Sequence, residues 1–182
     1  MKTGCEIVVD YLQSVPAWYL ATCEGDQPHV RPFSFVAHHD GRMWFCTSTE
    51  KDVYAEMKAN PRIEISAWKP MSPWLVVRGF ADLVAEPTEA IQRAGFAHLR
   101  ALGESYAGSE DPRLAFFSLI DGKAWLCDID GSRLEVEMGF DYDSVVLPEE
   151  RPDQPAAEEE PPEPTEEELE ERFAEENFTD VG

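Results

Sequence analysis

Residues 16–68 read PAWYLATCEGDQPHVRPFSFVAHHDGRMWFCTSTEKDVYAEMKANPRIEISAW, and the fold turns on this stretch. Ala17 to Cys23 is apolar and aromatic enough for a strand, and Glu24-Gly25-Asp26-Gln27 is a turn. Pro28 to Ala37 then reads as a second strand, completing a hairpin. Asp40-Gly41 is a strong two-residue turn signal, and Arg42 to Thr47 follows as a third strand. Thr49 to Ala59 reads as a helix. Thr49 is placed to cap it, with Asp52 three positions on, and Val53 and Met57 are spaced to pack inward. Asn60-Pro61 stops the helix. From Arg62 to Trp68, Ile63, Ile65 and Ala67 alternate with Glu64, Ser66 and Trp68, the pattern of a half-buried strand.

Working outward, Thr3 to Ser14 is expected to be a first helix. Thr3 and Glu6 match a capping box, and Ile7, Val8, Tyr11 and Leu12 form its apolar stripe. Downstream, Trp74 to Ala85 is a long strand in which Gly79 signals a bulge or a close backbone contact. Pro87-Thr88-Glu89 opens a helix ending near Gly103, with Ile91, Gly95, Leu99 and Leu102 on one side. Leu114 to Ile120 is apolar and reads equally as a short helix or a strand. Asp121-Gly122 is expected to turn, Lys123 to Ile129 to be the last clear strand, and Leu134 to Leu147 to add one weak strand. Hairpin turns with short helices inserted do not give the regular strand–helix alternation of a parallel doubly wound sheet. The expected class is mainly β with short helices, a small antiparallel barrel.

The chain has 182 residues and a net charge of −22, unevenly spread. Residues 149–182 hold 15 acidic and 2 basic side chains, while residues 1–148 hold 22 and 13. Six of the fourteen prolines fall at or after Pro148. Such a segment buries too little apolar surface to offset its ordering entropy. We therefore expect a folded domain over 1–147 and a disordered acidic Pro/Glu-rich tail over 148–182, read as a solubilising appendage, with a dock for a basic partner or a segment folding back on the barrel as the alternatives. Without a basic face, nucleic acid and anionic membrane surfaces are poor partners. No apolar run reaches 18 residues, and acidic residues come too early for a signal peptide, which points to the cytoplasm. Cys5, Cys23, Cys46 and Cys127 form no CxxC pair, and no metal site is expected from them. His38 and His39 flank the Asp40-Gly41 turn, where exposure is the simpler reading than metal binding.

The ordered combination of a strand, a hairpin with RPF, DGR, an aromatic strand ending in CTS, a lysine, a helix and ANP resembles the pyridoxamine 5'-phosphate oxidase-like family. The likeness covers Pro16 to Trp68 and extends more weakly to about Val136. It implies a six-stranded antiparallel split β-barrel of Greek-key type, a homodimer, and FMN at the dimer interface. By that resemblance, Arg31 and the backbone of His29, Val30, Pro32 and Phe33 lie along the flavin. Thr47 and Ser48 then end the strand that meets the phosphate or ribityl chain, and Lys51 contacts the phosphate beside Thr49. An alternative for Lys51 is an ordinary surface lysine. Trp68 either stacks on flavin, covers the dimer seam or packs in the core, and Phe116 and Trp125 are offered for the partner subunit's share of the site. The placement suits a phosphate, which favours charge-assisted donors and a helix N-terminus.

There is no Rossmann fingerprint and no Walker A sequence. A reductant such as NAD(P)H would therefore visit the flavin transiently. True pyridoxamine 5'-phosphate oxidases end in a segment with arginine and histidine; here the acidic tail takes its place, which disfavours an anionic vitamin B6 substrate. The leading reading is an FMN-dependent oxidoreductase or reductase of a small molecule. The alternatives are a non-catalytic FMN carrier or electron-transfer module, and a flavin-free interaction or haem-binding protein on the same scaffold.

Overall fold

Eight strands form one antiparallel sheet in the structure, a computed structural model that describes residues 2–138. The elements are α1 (Gly4–Gln13), β1 (Trp18–Glu24), β2 (Gln27–Phe33), β3 (Ala37–His39), β4 (Arg42–Ser48), α2 (Asp52–Ala59), β5 (Arg62–Ala67), β6 (Trp74–Asp82), α3 (Glu89–Ala101), β7 (Leu114–Cys127) and β8 (Arg133–Val136). The strand order is β2-β1-β5-β6-β7-β4-β3, and β8 pairs with β7. The expected tail from Pro148 onward lies outside the described residues, as does the part of the expected last strand beyond Met138.

The class is as expected, mainly β with short helices, but the six-stranded barrel is corrected. The sheet has eight strands, and its edges β2 and β3 do not pair with each other. The expected strand from Pro28 to Ala37 breaks at residues 34–36, and its two halves become the opposite edges of the sheet. That break also dictates curvature. Four Cα steps separate Phe33 from Ala37, a span of at most about 14 Å. Six inter-strand gaps in a flat sheet would separate the edges by about 29 Å. The sheet must therefore roll up, leaving a seam between β2 and β3.

Aromatic side chains fill the roll. Trp18 of β1 meets Phe45 of β4 with ring centroids 5.4 Å apart, although three strands lie between them in the sheet. Phe33 of β2 stacks on Trp18 at 5.3 Å and meets the edge of Phe117 of β7 at 6.4 Å. Phe45 and Phe117 stack at 5.0 Å. Trp18, Phe45 and Phe117 are fully buried, so truncating any one of them to alanine would cost roughly 3–5 kcal/mol.

The local signals mostly translate as read. Thr3 caps α1 with a complete capping box. The buried stripe is Cys5, Val8, Val9 and Leu12 rather than one containing Ile7, which is exposed. Asp40 and Gly41 both take positive φ, 51° and 71°, as a two-residue hairpin turn requires. Leu114 to Ile120 is strand, and the predicted turn at Asp121-Gly122 does not form. Instead β7 runs unbroken for 14 residues. Its pairing with β6 shifts register between Arg78 and Phe80, so the irregularity falls at Gly79 on one strand and Asp121-Gly122 on the other. Asp121 takes φ 49° there. A Cβ on Gly79 would lie 2.7 Å from Leu119 Cδ1 and 2.8 Å from the Ile120 carbonyl oxygen, which is why this position has no side chain. No described helix is long and apolar enough to cross a membrane.

Candidate functional site

A cavity of about 570 Å³ opens between the end of β2, the end of β4, the start of α2 and the end of α3. His29, Val30, Arg31, Pro32, Phe33, Thr47 and Lys51, seven of the twelve residues singled out in the sequence, line it. Six of them come from β2 and β4, which have four strands between them in the sheet order, and Lys51 follows β4, so the roll brings them together.

The start of α2 is built differently from the expectation. Thr49 does not cap the helix, whose N-cap lies two residues further on; its N–H donates to the Arg113 carbonyl at 2.8 Å and its hydroxyl leans to the same oxygen at 3.4 Å. The chain first turns through Lys51 N–H to the Ser48 carbonyl at 3.2 Å, and the helix begins at Asp52 with Lys51 at its N-cap. No side chain caps it. The first-turn amides of any helix lack intrahelical partners, and here Asp52 and Val53 of that turn line the cavity. Beside them the Thr47 hydroxyl is buried and has no hydrogen-bond partner. The lining thus includes Thr47, whose buried hydroxyl has no partner, an open helix start and a lysine. That donor set suits an anion such as a phosphate.

Two ion pairs involve residues of the cavity lining. Arg31 donates through Nη2 to both carboxylate oxygens of Glu56, at 3.0 and 2.7 Å, and through Nη1 to the Thr22 hydroxyl. Thr22 in turn donates to Glu56. Glu56 lies on the inward face of α2 with Val53 and Met57 and is nearly inaccessible. Burial pushes its carboxyl up, but the Thr22 and Arg31 hydrogen bonds, with the charges of Arg31 and His29, outweigh that and hold it below its ordinary value. Arg31 is thus fixed and locally neutralised, with its side chain 22% exposed. Lys51 Nζ pairs with Glu104 Oε1 at 2.7 Å. Two basic side chains, Arg31 and Lys51, therefore face three acidic ones, Glu50, Asp52 and Glu104, around the cavity. Cys46 also lines it, but burial pushes its thiol up to about 12, so it offers no thiolate nucleophile near neutral pH.

The remaining residues singled out in the sequence lie elsewhere. Ser48 is buried and its hydroxyl accepts from the Glu50 N–H at 3.2 Å. Thr49 and Phe116 line a separate cavity of about 290 Å³. Phe116 packs in a second apolar cluster with Trp44, Cys46, Ile91 and Leu99. Trp68 is 63% exposed just past β5. Trp125 pairs across the sheet with Val76, and the Arg78 guanidinium lies 5.7 Å from its ring centroid. Sequence reasoning missed Glu56 and Glu104. The first left a trace, an acidic residue at the position three after Val53 on the inward helical face; the second depends on a distant loop. Among the described residues, no group of three or more His, Cys, Asp or Glu side chains is placed to hold a metal ion.

A rolled antiparallel sheet with an anion-suited cavity at one helix start defines the class. The family model described as pyridoxamine 5'-phosphate oxidase matches residues 6–120, and the chain belongs to that family. Among solved structures, a NimC/NimA family protein from Clostridium acetobutylicum is 25% identical with a TM-score of 0.62, over 73% of this chain and 94% of that one. General stress protein 26 from Bacillus anthracis str. Sterne is 19% identical with a TM-score of 0.55, over 71% and 96%. A Clostridium acetobutylicum protein related to general stress protein 26 is 13% identical with a TM-score of 0.53, over 72% and 94%. These last two are likenesses of fold. No curated protein matches the chain.

Proposed function

We propose that this chain is an FMN-binding flavoprotein and an oxidoreductase of a small molecule, working as a homodimer. The observation that carries the reading is the buried, unpartnered Thr47 hydroxyl beside the uncapped start of α2. Leaving such a hydroxyl unsatisfied costs on the order of 1–3 kcal/mol, and a Thr47 side chain turned toward the cavity would relieve it on an FMN phosphate oxygen. Thr47, the first-turn amides of α2 and Lys51 would hold the phosphate, with Arg31 fixed by Glu56 at its side. The β2 backbone from His29 to Phe33 would border the ring system. When bound, flavin supplies the redox chemistry, and the protein supplies orientation and electrostatics.

Family membership and a cavity large enough for a cofactor of this class support the reading. The outer face of β1 and β2 supports the dimer. Register places Tyr19 opposite Pro32 and Ala21 opposite Val30 on that face, and Tyr19 and Val30 are 52% and 65% exposed. A second subunit would cover these side chains and give Trp68 a neighbour.

The test is the visible spectrum of the purified full chain before and after adding FMN and desalting, alongside sedimentation for oligomeric state. Retained flavin near one per chain, reduced in Thr47→Val and Lys51→Ala, is the expected result. Protein that stays colourless after reconstitution would remove FMN from the reading. Reduction of the retained flavin by NADH or NADPH under anaerobic conditions then separates an oxidoreductase that uses these donors from a flavin carrier.

A further inference from the structure

Glu104 stands at the anion end of the cavity, and the fold holds it there. Tyr106 Oη donates to Glu104 Oε2 at 2.7 Å while Lys51 Nζ donates to Oε1. The backbone N–H of Glu104 bonds the Leu99 carbonyl at 3.1 Å. The loop beyond is tied by Asp111, which accepts from the Ala107 N–H at 2.8 Å and from Arg113. Arg113 also donates to the Ser105 carbonyl at 3.0 Å, and its guanidinium lies 5.2 Å from the Tyr106 ring centroid. Burial raises the Glu104 carboxyl, but the hydrogen bonds from Lys51 and Tyr106 and the lysine charge more than offset this, so it is an anion at neutral pH. Tyr106 is pushed up to about 12 by burial and by Glu104, and remains a donor.

A carboxylate so anchored cannot swing away with its lysine when an anion arrives. We propose that Glu104 is an internal competitor for the anion site: it holds Lys51 in the ligand-free protein, and a phosphate-bearing ligand must take Lys51 from it. The proposal rests on the FMN reading for the identity of the ligand, though not for the competition itself. Lys51 and Glu104 are 47% and 31% exposed, so incoming phosphate can reach both. Two penalties then fall on that phosphate. It must replace a formed ion pair, and it must sit near a fixed negative charge, since like charges brought together weaken binding. The phosphate thus adds less to affinity than its donor set alone would give, and the site discriminates weakly between FMN and riboflavin.

The experiment titrates the full apo-chain with FMN and with riboflavin, which lacks the phosphate. Glu104→Gln keeps the side-chain length and an acceptor for Tyr106 but removes the charge. FMN affinity is expected to rise about tenfold with riboflavin affinity unchanged, and the gain is expected to shrink in a Lys51→Met background, where only the repulsion is left to relieve. Unchanged or weaker FMN binding in Glu104→Gln, or an equal rise for riboflavin, would overturn the proposal. Tyr106→Phe loosens the anchor without touching the charge, and a smaller gain in the same direction is expected from it. This variant decides the matter if Glu104→Gln does not fold. If no flavin binds to any form, the FMN reading fails by itself, and inorganic pyrophosphate titrated by calorimetry becomes the probe. Tighter pyrophosphate binding in Glu104→Gln than in the native chain upholds the competition, and equal or absent binding in both ends it.

Discussion

Ser34 Oγ lies 2.7 Å from His98 Nε2, joining the short link after β2 to the last turns of α3. The neighbouring Phe35 ring packs against the same imidazole with centroids 5.6 Å apart. Ser34 lines the large cavity and also a second one of about 380 Å³, whose lining includes His98. His98 is therefore the clamp that holds this link. Ser34→Ala should lower unfolding free energy by about 1 kcal/mol, measured by urea denaturation. An unchanged midpoint would mean that Phe35 alone holds the link.

Thr47 gives two readouts of opposite sign. Thr47→Val replaces a buried hydroxyl that has no partner with an isosteric methyl. Without ligand, the variant should be more stable than the native chain by about 1 kcal/mol, because an unmet desolvation cost disappears. FMN retention should fall at the same time. A variant that is destabilised in the absence of ligand would show that the hydroxyl is satisfied in solution, for instance by water.

The Arg31–Glu56 pair predicts a pH dependence. The folded-state carboxyl of Glu56 lies below its ordinary value of 4.5. A depressed acid contributes stability above its unfolded value and loses that contribution as pH falls through its folded value. Glu56→Ala should cost about 3 kcal/mol near neutrality, where it strands Arg31 and Thr22. The difference from the native chain should shrink as pH drops below 4.5. Urea titrations at neutral and acidic pH measure this, and a gap that stays constant with pH would contradict it.

Gly79 is a packing position. A methyl there would press on the Ile120 carbonyl, a backbone atom that cannot step aside without opening the β6–β7 ladder. Gly79→Ala should cost about 1–3 kcal/mol, seen as a lowered thermal midpoint.

The sequence made the local chemistry legible and left the long-range geometry unread. The Thr3 capping box, the Asp40-Gly41 turn and the inward spacing of Val53 and Met57 depend on neighbours in the chain, and each is found as read. The Asp121-Gly122 signal misled because a turn dipeptide also serves as a bulge when a glycine faces it across the ladder. Thr49 was misplaced because the helix starts later than read, at Asp52 with Lys51 at its N-cap, and the Thr49 hydroxyl donates to the Arg113 carbonyl, 64 residues away. In the site, the lining from β2, Thr47 and Lys51 was legible through family likeness. Ser48, Thr49, Trp68, Phe116 and Trp125 lie outside that cavity, and Glu104 reaches it only through the loop between α3 and β7.

The short link at residues 34–36 works as a girdle. It spans the seam between β2 and β3, so its length limits how far the roll can open. Ser34 and Phe35 also form part of the cavity wall. Each inserted residue would add up to about 3.5 Å of slack at the seam while leaving every strand pairing in place. Cavity width in this scaffold can thus be set by the length of one connection, independently of the sheet that carries it.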